Sequence, residues 1–294
     1  MNAAADIIFS GVFQGSLYAV MAVGLSLVWT TTGVFNFAHG ALIMLGAYVC
    51  WQLVDVGGFA WPLYLALPAT MLIVAALGWA LQRALVAPFI GHPNIVMIVV
   101  ITTLAMGSLV ENAGLAIWGP RPKQLPALAS GTVDINGFNA SANQIAIILA
   151  TPVVLMAVWL LLNRTRLGLS LRAVAQNNDS SLLVGLRPSL LYGFAFMLAA
   201  ALAALAGIFL GSFKFMSPAM GSEPLTKALV VVIFGGIGSV TGPIFAAYLI
   251  GLIEATSNYF LGLYWTPTLL FAILIATLVI RPEGLISIRQ RGLS

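Results

Sequence analysis

Two carboxylates, Glu111 in SLVENAGLAIW and Glu254 in LIEATSNYF, sit inside apolar runs. A charge at membrane depth costs about 3 kcal/mol or more, so such residues face protein, a cavity or the interface. Each lies about two helical turns from the outer end of its run. A hydrogen-bonded helix contact or snorkelling accounts for them, and so does lining a pathway or docking a partner. Neither is one of a close pair, as acid–base catalysis by carboxylates requires. His39 and His92 are the only histidines, too few for most zinc sites, and the single Cys50 can form neither an internal disulfide nor a cysteine cluster. No phosphate loop occurs, since the nearest candidate, Gly221–Lys227, lacks the second glycine. The residues therefore predict no metal, no cofactor and no ATP hydrolysis by this chain alone. A membrane enzyme using His39 and the two glutamates would lack a nucleophile or metal constellation.

The second group with chemistry is cationic. The polar segment Asn163–Pro188 (NRTRLGLSLRAVAQNNDSSLLVGLRP) holds four of the twelve basic residues. Cationic loops stay on the cytoplasmic side, which predicts a cytosolic position. Within it, Arg172–Leu186 reads as one short helix with Ala173, Val174, Leu182, Leu183 and Leu186 on an apolar face, ended by Gly185 and Pro188. A short amphipathic helix outside the bilayer can dock a partner.

The elements that position these residues are membrane spans. With 61% apolar and 7% charged residues in 294, a water-soluble fold would lack polar surface, so the solvent of most of this chain is lipid. Nine candidate segments are 7–29, 41–54, 63–81, 95–118, 145–162, 191–213, 226–237, 243–260 and 265–280, of which the second and seventh are too short to span unaided. The expected fold is all-α, a polytopic bundle of about eight or nine membrane segments, some broken or re-entrant, in one domain over 1–294 with a cytoplasmic loop at 163–190. With the N-terminus outside, Arg83, Arg164, Arg166, Arg172, Arg187, Arg281, Arg289 and Arg291 lie inside against Arg121, Lys123, Lys214 and Lys227 outside. The net charge of +4 is thus topological, and without a basic patch interleaved with aromatics it gives no nucleic-acid site. The N-terminus, with Asp6 and no basic region, reads as an uncleaved first span.

Two breaks interrupt the apolar pattern, TTGVFNFAHG (Thr31–Gly40) and GGIGSVTGP (Gly235–Pro243), each next to an undersized run. Irregular backbone at membrane depth is tolerated where protein buries it or a water-filled cavity accepts it, and paired interruptions point to a transport pathway. Asn36, His39, Gly40, Gly235, Gly236 and Gly238, with Glu254, are the pathway candidates; close-packed helix turns are the plainer reading of the glycines. Trp51, Trp61, Trp118, Tyr259, Tyr264 and Trp265 fit an outer aromatic belt, and the turn-rich stretch 119–143 is the longest outer loop.

Four stretches in order, GLSLVWTTTGVFNFAHGALIMLGAYV, TRLGLSLRAVAQNNDSSLLVGL, KALVVVIFGGIGSVTGPIFAAYLIGLIEA and LVIRPEGLI, resemble the membrane permeases of branched-chain amino acid ABC importers, the LivH-type subunit. The resemblance covers nearly the whole chain. It implies a single transmembrane permease domain in the bacterial inner membrane, a second homologous permease subunit, two cytosolic ATP-binding subunits and a periplasmic solute-binding protein that delivers a small solute for alternating access. Permeases of the same family also import urea, amides and organic acids. The family's coupling helix begins Glu-Ala-Ala with a glycine four residues later. The matching stretch is Asp179-Ser180-Ser181 followed by Gly185, a departure at all three letters, and Arg172, Leu182 and Leu183 complete the expected contact with the ATPase. The rival class is a stand-alone secondary transporter, for which Glu111, Glu254 and His39 would have to couple an ion gradient.

Overall fold

The computed structural model describes residues 3–55, 57–135, 138–281 and 284. Among them are eleven α-helices: α1 (Ala3–Thr32), α2 (His39–Val54), α3 (Leu63–Leu81), α4 (Ile95–Trp118), α5 (Ala142–Arg164), α6 (Arg166–Gln176), α7 (Asn178–Leu183), α8 (Pro188–Phe213), α9 (Ser222–Gly235), α10 (Gly242–Phe260) and α11 (Thr266–Ile280). A hairpin of β1 (Thr132–Ile135) and β2 (Phe138–Ser141) caps the outer loop. Five helices, α1, α3 with its continuation to Phe89, α4, α5 and α8, are long and apolar enough to cross a membrane, whereas α2 and α11 are apolar but shorter. The chain is a polytopic helical membrane protein, as its apolar runs require.

Helices α1 and α8 form the centre of the bundle and are buried along most of their length, whereas α3, α4 and α5 lie at its edge. The run Ala199–Gly207 explains why α8 can be central, because small side chains let neighbouring backbones approach. A side chain at Gly207 would strike the carbonyl of Ile43, and one at Gly46 would strike the backbone of Ala204. The peripheral helices turn Leu72, Met97, Ile117 and Val153 outward. In water such faces would be a liability; in lipid they are solvated.

Contacts along the helices fix their depth. Helix α2 does not start at the end of α1. His39 Nε2 lies 3.2 Å from the Met21 carbonyl, the Phe37 amide donates to Thr103 Oγ1 at 3.2 Å, and Gly107, halfway along α4, faces Ala38. The chain therefore leaves α1 at Thr32, doubles back through 33–38 and begins α2 at mid-depth. Helix α2 then follows α4 to its end, where Trp118 donates to Gln52 Oε1 at 3.1 Å. Helix α9 starts at the same depth, since Gly40 and Gly221 touch backbone to backbone. It runs the other way, alongside the second half of α1, reaching the level where Ser26 Oγ donates to the Ser239 carbonyl at 2.7 Å. Two short helices thus begin head to head inside the bundle and run to opposite faces.

This arrangement corrects the equivalence of the two glycine-punctuated breaks. The counterpart of 33–38 is 214–221, which leads from the outer end of α8 into the interior, where Gly221 meets Gly40. The stretch 236–241 is a tight connection between α9 and α10, in which a side chain at Gly235 would come within 2.6 Å of Pro243 N, and Gly236 and Gly238 take positive φ of 110° and 100°. Glycine is required there because other residues rarely adopt that conformation.

The basic residues gather at one end. Arg83 follows Gln82, which lies against Gly193 near the start of α8, and Arg164, Arg166, Arg172 and Arg187 flank α5, α6 and α8. Arg281 ends α11, and Gly284 beyond it packs on Gly236. This is the end that the positive-inside rule would assign to the cytoplasm. Arg289 and Arg291 lie outside the described residues. At the opposite end Lys123 sits 3.6 Å above the Trp51 ring and pairs by backbone with Met216, while Asn143 ties the loop to α8 through Ser212.

Candidate translocation site

Helices α9, α10 and α11 border a half-open cavity of about 350 Å³. Its walls are mostly apolar, with Val230, Ile250, Leu270 and Phe271 among them, and its polar groups come from Glu223, Lys227, Glu254 and Asn258. Lys227 is central. Its Nζ donates to Glu254 Oε1 at 2.8 Å and to Tyr18 Oη at 2.8 Å, and it pairs with Glu223 Oε1 at 3.2 Å. Tyr18 in turn donates to Glu254 Oε2. Both carboxylate oxygens of Glu254 are thereby satisfied, which allows a carboxylate of 6% exposure to persist within a membrane helix.

Helix geometry explains the convergence. Glu223 and Lys227 are four apart on α9 and share a face. Helices α1 and α10 pack closely enough to bring Tyr18 and Glu254 together because glycines line the contact, Gly11 and Gly15 against Gly251. Of the two carboxylates singled out in the sequence, Glu254 joins this site, whereas Glu111 is partly exposed on α4 and does not line it. Lys227 and Tyr18 were not anticipated, although a lone lysine beside an apolar run called for an acidic partner on a neighbouring span.

The other pathway candidates are packed away from this cavity. Asn36 is buried and organises the start of α2: its Oδ1 accepts from the Ala38 amide at 3.1 Å and its carbonyl from the His39 amide at 3.1 Å. These are two of the amides a helix start leaves free. His39 is fully buried, with Nε2 against Met21 and Nδ1 without a partner. Gly40 and Gly235 are closed by backbone contacts, Gly236 is buried, and Gly238 is exposed with open space around it.

The polar segment between α5 and α8 differs from the single helix expected over Arg172–Leu186. Asn177 is extended and divides it into α6 and α7. The cause is local, because the Asn177 side chain accepts from the Ser180 amide at 2.9 Å and starts a new helix. The predicted apolar face divides with it: Val174 packs inward, whereas Leu182 and Leu183 are 55% and 89% exposed, and Val184 beside them is 73% exposed. Gly185 ends α7 at φ 79°, its amide bonded to the Leu182 carbonyl and the Leu186 amide to the Ser181 carbonyl, a Schellman termination. Ser181 is buried and Ser180 exposed; the side chain of Asp179 lies outside what is described. Arg172 donates to Asn163 Oδ1 at 3.0 Å, fastening α6 to α5.

The profile of the family described as branched-chain amino acid transport system / permease component matches residues 7–278. The permease protein LivH of the Escherichia coli K12 high-affinity branched-chain amino acid transport system is 30% identical, covering 95% of this chain and 94% of its own. BraD of Pseudomonas aeruginosa, with the corresponding description, is 29% identical, with 94% of each chain covered. The ribose import permease RbsC of Escherichia coli K12 is 25% identical over 91% of this chain and 84% of its own. No solved structure matches the chain significantly.

Proposed function

Because this chain belongs to the branched-chain amino acid transport system permease family, whose members are transport subunits and not enzymes, we propose that it is one membrane half of an ABC importer for a branched-chain or related amino acid. It works in the bacterial inner membrane with a second, homologous permease, two cytosolic ATP-binding subunits and a periplasmic solute-binding protein. The ATP sites lie in the partners, and this chain's work is mechanical. Two states with different contacts to the ATPases shift the solute site between the two sides.

The observation that carries this reading is the exposed apolar turn Leu182-Leu183-Val184 in the arginine-bearing segment, which a carrier working alone would not need. Residues Asp179, Ser180, Ser181 and Gly185 frame it, and Arg172 anchors the helix before it. Asn36, His39, Gly40, Gly235, Gly236, Gly238 and Glu254 belong to the moving parts or lining of the pathway.

The test is reconstitution. Co-expressed with the second permease and the ATPases, the chain should form a complex whose ATPase activity rises with loaded binding protein and whose uptake requires ATP. Gly185→Trp should abolish uptake at normal expression, because the left-handed backbone at Gly185 resists a side chain while no neighbouring atom is crowded. Full ATP-driven uptake in that variant would remove the turn from the docking role. Full-rate transport by this chain alone without nucleotide would make it a secondary carrier.

A further inference from the structure

The cavity between α9, α10 and α11 carries a charge arrangement that discriminates among solute classes. Two carboxylates, Glu223 and Glu254, face the one ammonium of Lys227, so the cluster has a formal net charge of −1. The two pairs are not equivalent. Glu254 is held by both Lys227 and Tyr18 with its side chain 9% exposed, while Glu223 makes the longer contact and its side chain is 63% exposed. The Lys227–Glu223 contact is thus the one that opens at least cost, since an exposed i,i+4 pair contributes only a few tenths of a kcal/mol.

Resting on the importer reading above, we propose that this cavity is a binding site for a zwitterion with a short aliphatic side chain, taken up by exchange of ion pairs. The incoming carboxylate replaces Glu223 on Lys227 Nζ, and the incoming ammonium takes the freed Glu223 carboxylate. Every charge keeps a partner and the net charge is unchanged. A carboxylic acid without an amine would leave Glu223 unpaired and raise the negative charge beside the buried Glu254; an amine without a carboxylate would meet only the exposed Glu223 and leave Lys227 and Asn258 unused, a contact of small worth. Urea and short amides would leave the apolar walls unfilled. Asn258, whose Oδ1 already accepts from Thr266 at 2.6 Å, has its amide NH2 for the bound carboxylate. The aliphatic group lies against Val230, Ile250, Leu270 and Phe271. A volume near 350 Å³ with apolar walls and a few convergent polar groups suits a ligand of this size.

The experiment uses the complete complex in nanodiscs without the binding protein, with leucine, its deaminated carboxylate, its decarboxylated amine and urea as probes. Binding is read by calorimetry, and ATP-driven uptake is measured in parallel with the binding protein present. Leucine should bind, and the other three should bind at least tenfold more weakly. Glu223→Gln should weaken leucine about threefold, the scale of one contact to a mostly exposed carboxylate, and Leu270→Trp, which fills the cavity, should abolish binding while the subunits still co-purify. Should Leu270→Trp fail to assemble, Glu223→Gln alone decides, its side chain being mostly in solvent. Leucine affinity unchanged in Glu223→Gln, or equal affinity for the carboxylate or urea, overturns the proposal and leaves the importer reading intact. ATP-driven leucine uptake by a complex that binds none without its binding protein overturns it too. Absence of ATP-driven uptake of any probe removes the importer reading itself.

Discussion

Segments 33–38 and 214–221 both lead the chain into the interior and hand it to a short helix, whereas segment 236–241 joins α9 to α10 at the end of the bundle where Gly284 packs on Gly236. All three contain or adjoin glycine, for two different reasons, and Gly33, with a φ of 71° and open space, is of the turning kind. Where α2 and α9 meet, Gly40 and Gly221 have ordinary negative φ and are needed for space, because each lies on the other's backbone. At 236–241, Gly238 has open space around it and is needed for its φ of 100°. The first kind of glycine holds together two half-helices that start at mid-depth, the architecture on which solute pathways in transporters are built. The second only turns the chain.

The strongest way to break this comparison is to fill the contact. Gly221→Val would place a branched side chain where even a Cβ would lie 2.5 Å from the Gly40 carbonyl oxygen. Backbone cannot move aside as a flexible side chain can, so the loss should reach about 3 kcal/mol or more. The check is thermal unfolding of the purified complex in detergent, where the variant should be strongly destabilised or unrecoverable. A normal melting profile would mean that the head-to-head contact is not made in the protein.

A somewhat smaller effect should follow from the ion pairs beside α9. Lys227→Met leaves the buried Glu254 carboxylate with Tyr18 alone, and breaking such a pair costs about 3 kcal/mol. Because the Lys227 side chain keeps 26% exposure, water relieves part of that loss. Adding Glu254→Gln to Lys227→Met should restore much of the stability without restoring transport, since the uncompensated charge is gone but the site is still altered. A double variant as unstable as the single one would show that the pair does not act as a unit.

The sequence revealed this architecture unevenly, and the reasons are physical. The long spans were legible because lipid demands continuous apolar runs, and the polar helical segment between α5 and α8 because its charges interrupt them. Gly185 was legible as a helix end because only a few residues tolerate its φ. The depth of α2 was not, since FNFAHG has no property that distinguishes a turn at the membrane surface from a climb to mid-depth; contacts with Met21 and Thr103 decide it. The segment 214–221 was missed because KFMSPAMG resembles an ordinary outer loop. The expectation of one helix over Arg172–Leu186 failed at Asn177, where a side chain that competes for backbone amides outweighed the periodicity of the leucines. Tyr18 and Lys227 are 209 residues apart, and no local pattern links a tyrosine in the first span to a lysine in the ninth helix.

The finest test of the comparison is Gly238→Ala set beside Gly40→Ala, the same methyl added to both kinds of glycine. At Gly238 nothing lies within 4 Å of the new carbon, so the only cost is the positive φ, about 1 to 2 kcal/mol for a residue with a Cβ. At Gly40 the φ costs nothing and the neighbouring backbone of Gly221 blocks the methyl. Gly238→Ala should therefore lower the melting temperature by a few degrees and leave ATP-driven uptake close to the parent rate. Gly40→Ala should cost more stability and depress uptake beyond the stability loss, because it separates the two half-helices at mid-depth. Asparagine at 238, which tolerates left-handed backbone better than alanine, should recover part of the small loss, whereas no residue with a side chain should recover function at 40. Equal and small effects of alanine at both positions would mean that the contact between α2 and α9 is loose, and that glycine there serves the turn and not the approach.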